Sequence, residues 1–243
     1  MPEGVSYGNG GVYVTFWDTN GGPPEIILQR VSKDGVATFA SGGIKISNSY
    51  MQQYGELAKG NNGSVIVSFA STDGDTSNCA PAVQKINSNG DLLWGSEGLA
   101  LDALSSAYCS SYPEITETTD GVIVAWINPD TNVIKAQKVN FDGTIQSTEN
   151  GVTVFTPSMS GFDKDFILIY DNSTGAYISC ANNCTAVNKI NGDGSTPWST
   201  NGIDLGSKVG SFRVSSNLDI APMVADYEGN LYVWGLMALI LLL

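Results

Sequence analysis

The chain has 243 residues, enough for one domain with a sizeable core, and its 28 glycines and only 14% charged residues suit short strands and tight turns. A formal net charge of −13 repels phosphate backbones and anionic lipid surfaces, so nucleic acid is excluded as a partner, while cations, sugars and basic protein patches stay open. Histidine is absent, and with it the Ser-His-Asp and Cys-His nucleophile systems and the commonest zinc ligand.

The predicted elements recur along the chain. The start, Met1-Pro2-Glu3-Gly4, has neither the basic residues nor the apolar run of a signal peptide. The first unit then has an apolar strand over 13–17 ending in Trp17, a strand with Gln29-Arg30-Val31, a turn at Lys33-Asp34-Gly35 and a last strand with Gly43-Ile44-Lys45-Ile46. The second repeats this order with 65–69, Gln84-Lys85-Ile86, Asn89-Gly90 and Gly98-Leu99-Ala100-Leu101. In the third the same places hold 122–126, Gln137-Lys138-Val139, Asp142-Gly143 and Gly151-Val152-Thr153-Val154. The fourth has 176–180, Asn188-Lys189-Ile190, Asp193-Gly194 and Gly202-Ile203-Asp204-Leu205. A fifth copy, with a strand over 230–234, is expected to stop inside or just after its second strand.

The turn glycines Gly35, Gly90, Gly143 and Gly194 are 55, 53 and 51 residues apart, the period of a blade-sized repeat. With the segment before each unit counted as a strand, every repeat supplies four antiparallel strands whose faces alternate polar out and apolar in. The expected fold is all-β: a β-propeller of about five four-stranded blades, the last incomplete, in a single domain over 1–243. The repeats fall at approximately 1–48, 49–103, 104–156, 157–207 and 208–243. The apolar end, 231–243, is shorter than the roughly 20 residues a spanning helix needs, so no transmembrane span is expected. It reads as a terminal strand or truncated blade, or as a membrane-associated tail.

The third unit carries the fullest pattern: Pro113-Glu114-Ile115, Gly121 through Trp126, Gln137-Lys138-Val139-Asn140, Asp142-Gly143 and Gly151 through Val154. On these motifs the chain resembles the secreted and cell-surface bacterial β-propeller repeat proteins over most of residues 2–235. The resemblance implies the fold; such propellers serve as binding modules, scaffolds and, less often, enzymes. The fourth unit departs from it in lacking an aromatic at the end of its second strand.

One acid per unit falls into register before the second strand: Glu3, Glu56, Glu114, Asp165 and Asp219. First strands line a propeller's axis, so these five are expected to form a ring around the channel. Mutual repulsion is relieved by water, by protonation, by a hard cation such as Ca²⁺, or by a polyhydroxyl ligand. The aromatic strand ends at Trp17, Phe69, Trp126 and Trp234 belong to the same face, where they pack between blades or, as Trp17 and Trp126 are expected to do, stack on a ligand such as a sugar ring. Cys79, Cys109, Cys180 and Cys184 read as two disulfides, Cys180 to Cys184 and Cys79 to Cys109, against four free thiols or a metal site.

The functional expectation is a non-catalytic binding or scaffold module, secreted or on the cell surface, acidic and disulfide-bonded, with carbohydrate or an extracellular protein as ligand on the channel face and no catalytic residue assigned. Two rivals stand beside it. One is a glycosidase-type hydrolase using axial carboxylates; the other is a structural fragment of a longer surface protein. Asp73-Gly74-Asp75 and Asn191-Gly192-Asp193-Gly194 read as turns, and Gln29, Gln84 and Gln137 as residues that satisfy strand or inter-blade hydrogen bonds.

Overall fold

β-Rich apolar runs punctuated by glycine build five antiparallel sheets. The computed structural model describes residues 3–19, 22–49, 52–72, 78–105, 112–156, 166–180, 186–204, 223–225, 231–235 and 238–242. The first sheet holds β1 (Glu3–Gly8), β2 (Gly11–Asp18), β3 (Glu25–Val31) and β4 (Ile44–Lys45). The second holds β5 (Gln52–Lys59), β6 (Val65–Thr72), β7 (Cys79–Ile86) and β8 (Leu99–Ala100), and the third β9 (Glu114–Glu117), β10 (Gly121–Asn128), β11 (Val133–Asn140) and β12 (Val152–Phe155). The fourth holds β13 (Phe166–Tyr170), β14 (Ala176–Cys180), β15 (Ala186–Ile190) and β16 (Ile203–Asp204). The fifth has three strands, β17 (Met223–Ala225), β18 (Leu231–Gly235) and β19 (Ala238–Leu242), and so runs one strand further than the repeat pattern predicts.

Strands consecutive in sequence are neighbours in each sheet, and the first strands touch in series: β1 with β5, β5 with β9, β9 with β13 and β13 with β17. That arrangement is a β-propeller, with first strands inward and the sheets stacked face to face. No helix occurs among the described residues, and none is long and apolar enough to cross a membrane.

The repeated turn has one hydrogen-bond pattern in four blades. Gly35 N donates to Ser32 O at 3.0 Å, Gly90 N to Asn87 O at 3.1 Å, Gly143 N to Asn140 O at 2.9 Å and Gly194 N to Asn191 O at 2.9 Å. The glycine opening each fourth strand is also repeated for a physical reason. At Gly98, φ is +82° and an added Cβ would stand 2.7 Å from Val83 O on the neighbouring strand. Gly98→Ala therefore meets both backbone strain and a clash with a carbonyl that cannot rotate away. We expect a loss of about 2 kcal/mol or more, read as a lower midpoint in urea with an unchanged slope.

Alternate residues of one strand feed different cores. On β6, Val65, Val67 and Phe69 pack with Tyr13, Ile26 and Leu28 of the first sheet. Ile66 instead packs with Val122, Val124 and Trp126 of the third. On β10, Ile123, Ala125 and Ile127 pack with Phe166, Ala176 and Ile178 of the fourth sheet. The expected alternation of polar and apolar faces is thus corrected: a central strand between stacked blades is buried on both sides and reads as a continuous apolar run.

Amide and ammonium side chains tie the stack together. Gln84 Oε1 accepts from Trp94 N at 3.0 Å and Lys85 N at 3.1 Å while its Nε2 donates to Gly95 O at 2.7 Å, tying the third strand to the segment entering the fourth. Gln29 does the same toward Ala40 and Phe39. Lys85 Nζ donates to Phe141 O, and Lys138 Nζ to Thr174 O at 3.2 Å, each reaching the next sheet.

The Lys138 side chain is fully buried and ion-paired with Asp120, which is half-exposed. Burial pushes the Lys138 ammonium below its ordinary 10.5, and the Asp120 charge and hydrogen bond restore part of the difference. Burial raises the Asp120 carboxyl, but the hydrogen bond and charge of Lys138 and the Thr118 hydroxyl outweigh it, so the group sits below its ordinary 3.8. A carboxyl depressed in the fold contributes stability that is present above its unfolded value and lost as pH falls through the folded one. Thermal melts should therefore show the midpoint falling below about pH 4, with a shallower fall in Asp120→Asn than in the parent chain.

Candidate active site

The entrance to β5 is distorted by its sequence neighbours. Gln52, fully buried, donates from Nε2 to Ser47 O at 2.9 Å and Ser49 O at 3.2 Å, and its Oε1 accepts from Ile26 N at 3.1 Å. This staples the start of β5 to the start of β3. Three residues later the pairing with β6 shifts: Gln53 pairs with Ala70 but Glu56 with Ser68, so one extra residue is accommodated as a bulge. The bulge puts Tyr54 at φ 58° and lays Gly55 against Ile26, whose Cδ1 would be 3.0 Å from an added Cβ. Tyr112, just before β9, also has a left-handed backbone, with φ 40°. Bulky side chains rarely occupy this region, and such strain concentrates at ligand-handling sites.

The two tyrosines meet with ring centroids 4.4 Å apart, and Trp17 stands edge-on to Tyr54 at 6.3 Å. Burial and a hydrogen bond with Tyr112 push the Tyr54 phenol up to about 12. Together with Glu3, Gly55, Glu56 and Pro113 these rings line a cavity of about 220 Å³, the space of roughly seven waters. Glu3 pairs across β1 and β2 with Thr15, so Glu3, Thr15 and Trp17 share one face of the first sheet. Thr15 is 2% exposed and its hydroxyl has no hydrogen-bond partner.

The residues expected to act together are partly assembled here. Glu3, Glu56 and Trp17 line the cavity, and Trp17 is 44% exposed. Glu114 is register-matched, pairing with Ala125 as Glu56 pairs with Ser68, yet it does not line the cavity. Asp165 and Asp219 lie outside the described residues; in the fourth sheet the position equivalent to Glu114 is Ile167, paired with Ser179. Trp126 as a ligand contact is corrected: it is fully buried, and its Nε1 donates to Asp102 Oδ2 at 2.9 Å. The register also shows that Phe16, not Trp17, occupies the place of Phe69 and Trp126, which frees Trp17 for the cavity.

Among the described residues, no three acidic or thiol groups are gathered to hold a metal ion. Cys79 and Cys180 are disulfide-bonded; Cys109 and Cys184 lie outside the described residues.

No family model and no curated protein matches the chain. Among solved structures it is similar to an α-L-arabinofuranosidase of GH43 type from Clostridium thermocellum, at 17% identity and TM-score 0.44, over 96% of this chain and 80% of that one. It is similar to a Bacillus subtilis arabinanase at 12% identity and TM-score 0.38, over 97% and 88%. It is also similar to a Bombyx mori GH32 β-fructofuranosidase at 12% identity and TM-score 0.44, over 94% of this chain but only 54% of that one. These likenesses are of fold. The expectation of a non-catalytic binding or scaffold module, with enzymatic activity the less favoured reading, is corrected at this point. The three neighbours just described, and a further one named for GH130 mannoside phosphorylases, carry the names of glycoside-processing proteins, and two of the acids line one aromatic-walled cavity.

Proposed function

We propose that the chain is a glycosidase-type hydrolase that cleaves a glycosidic bond in the cavity formed by the first three blades, with Glu3 and Glu56 as its carboxyl pair. The observation that carries this reading is their presence in one cavity with Trp17, Tyr54 and Tyr112. Glycoside hydrolysis needs two carboxyl groups flanking the scissile bond and no histidine, which fits a chain that has none. One carboxyl protonates the leaving oxygen; the other either attacks the anomeric carbon or activates water. Aromatic rings supply faces for the apolar side of a sugar ring.

Two carboxyls from equivalent repeat positions must still differ in environment to divide these roles. They do differ: Glu56 closes a bulge in β5, whereas Glu3 and Gly4 pair regularly with Thr15 and Val14. Disulfide bonds at Cys79 and Cys180 favour an oxidising compartment, consistent with work on extracellular glycans. The test is a screen of chromogenic aryl glycosides and polysaccharides for aglycone and reducing-end release. Turnover of at least one substrate, lost in both Glu3→Gln and Glu56→Gln, supports the reading; silence across the screen overturns it.

A further inference from the structure

The charges around the cavity reach past the reaction to the class of sugar it takes. We infer that the site selects neutral sugar rings and rejects uronic, sulfated and phosphorylated ones; this rests on the carbohydrate reading proposed above. The cavity lining contains two glutamates and, among the described residues, no lysine or arginine. A sugar carboxylate, sulfate or phosphate in a site normally finds a guanidinium, an ammonium or a row of backbone N–H groups. Here it would find carboxylate oxygens, at least one of them ionised whenever the pair is ready for catalysis.

Several cations among the described residues are engaged away from the cavity lining. Lys135 holds Asp102 at 3.1 Å, Lys45 holds Glu25 at 2.6 Å, and Lys85 and Lys138 are turned to the hairpin end of their sheets. The net charge of −13 adds long-range repulsion of anionic polymers before any contact is made. What the site does offer suits a polyhydroxyl ring. Tyr54 and Tyr112 bring phenol hydroxyls to the lining, and their paired rings and Trp17 supply ring faces. A cavity of about 220 Å³ accommodates one such ring.

The test is a titration of the intact wild-type chain, by calorimetry and by quenching of tryptophan fluorescence, with methyl glycosides of glucose, galactose, mannose and xylose and with the matching glucuronide and galacturonide. At low salt the best neutral glycoside should bind at least tenfold more tightly than either uronide, a difference of about 1.4 kcal/mol. That gap should narrow as salt rises to about 1 M, and narrow also in Glu3→Gln, because its origin is charge and not shape. A uronide binding as tightly as the neutral glycosides, or a gap indifferent to both salt and Glu3→Gln, overturns the inference while leaving the carbohydrate reading standing. Failure of every neutral and charged sugar to bind overturns both.

Discussion

Glu56→Gln should reduce kcat/KM on any glycoside the chain hydrolyses by about 10³-fold while leaving the melting temperature nearly unchanged. The size follows from losing a positioned proton donor or acceptor, which contributes typically 10²–10⁴-fold. The selectivity follows from geometry: Glu56 reaches the cavity at the end of a bulge, and the strand behind it is held by other groups. Gln52 fixes the entry to β5 through three hydrogen bonds, and Ala58 and Val67 carry the packing that follows. Glutamine keeps the shape and the hydrogen-bonding capacity of the side chain but cannot transfer the proton. Steady-state kinetics with a melt on the same preparation separates this outcome from misfolding. A variant with unchanged kcat/KM would remove Glu56 from the chemistry.

Asp102→Ala should carry the largest stability cost, about 3–5 kcal/mol. Asp102 follows β8 in the second sheet and its side chain is 5% exposed, yet its oxygens serve the third sheet. Oδ2 accepts from Trp126 Nε1 and Asn128 Nδ2, each at 2.9 Å, and both oxygens lie 3.1 Å from Lys135 Nζ. Removing the carboxylate leaves an ammonium with much less compensation, an indole N–H and an amide N–H without their acceptor, all at the seam between two blades. For a chain of this size each kcal/mol moves the melting midpoint by roughly 2–4 °C, so a drop of about 10 °C is expected in calorimetry. Lys135→Met in the same background should recover part of the loss, because it removes the stranded charge. A drop under about 2 °C would show that the seam does not depend on this hub.

The blade pattern was legible because each repeat must solve the same local problem. Four turns need the same glycine, four third strands need an amide to hold the segment beyond them, and four fourth strands begin where only a glycine fits beneath a carbonyl. The site was legible only in part. Glu3 and Glu56 could be found by aligning repeats, since first strands converge at the axis, whereas Trp17 reaches the cavity because it is not the equivalent of Phe69 and Trp126. Tyr54 and Tyr112 left a trace that passed unused: Tyr54-Gly55-Glu56 and Tyr112-Pro113-Glu114 share a tyrosine two residues before the acid. Their left-handed backbone and the bulge could not be read, because a one-residue slip in pairing is set by contacts between strands. Trp126 was misassigned for a related reason. Phe16 and Trp17 are adjacent aromatics, and only the strand register tells which is equivalent to a buried partner and which faces the cavity.

The most direct measurement of where the chemistry occurs is a crystal structure of Glu56→Gln soaked with a neutral oligosaccharide that the wild-type chain cleaves. The account predicts a sugar ring against Trp17 and the Tyr54–Tyr112 pair, with its glycosidic oxygen or anomeric carbon within contact distance of Glu3 and residue 56. A sugar bound intact on another part of the propeller, with this cavity unoccupied, would contradict it.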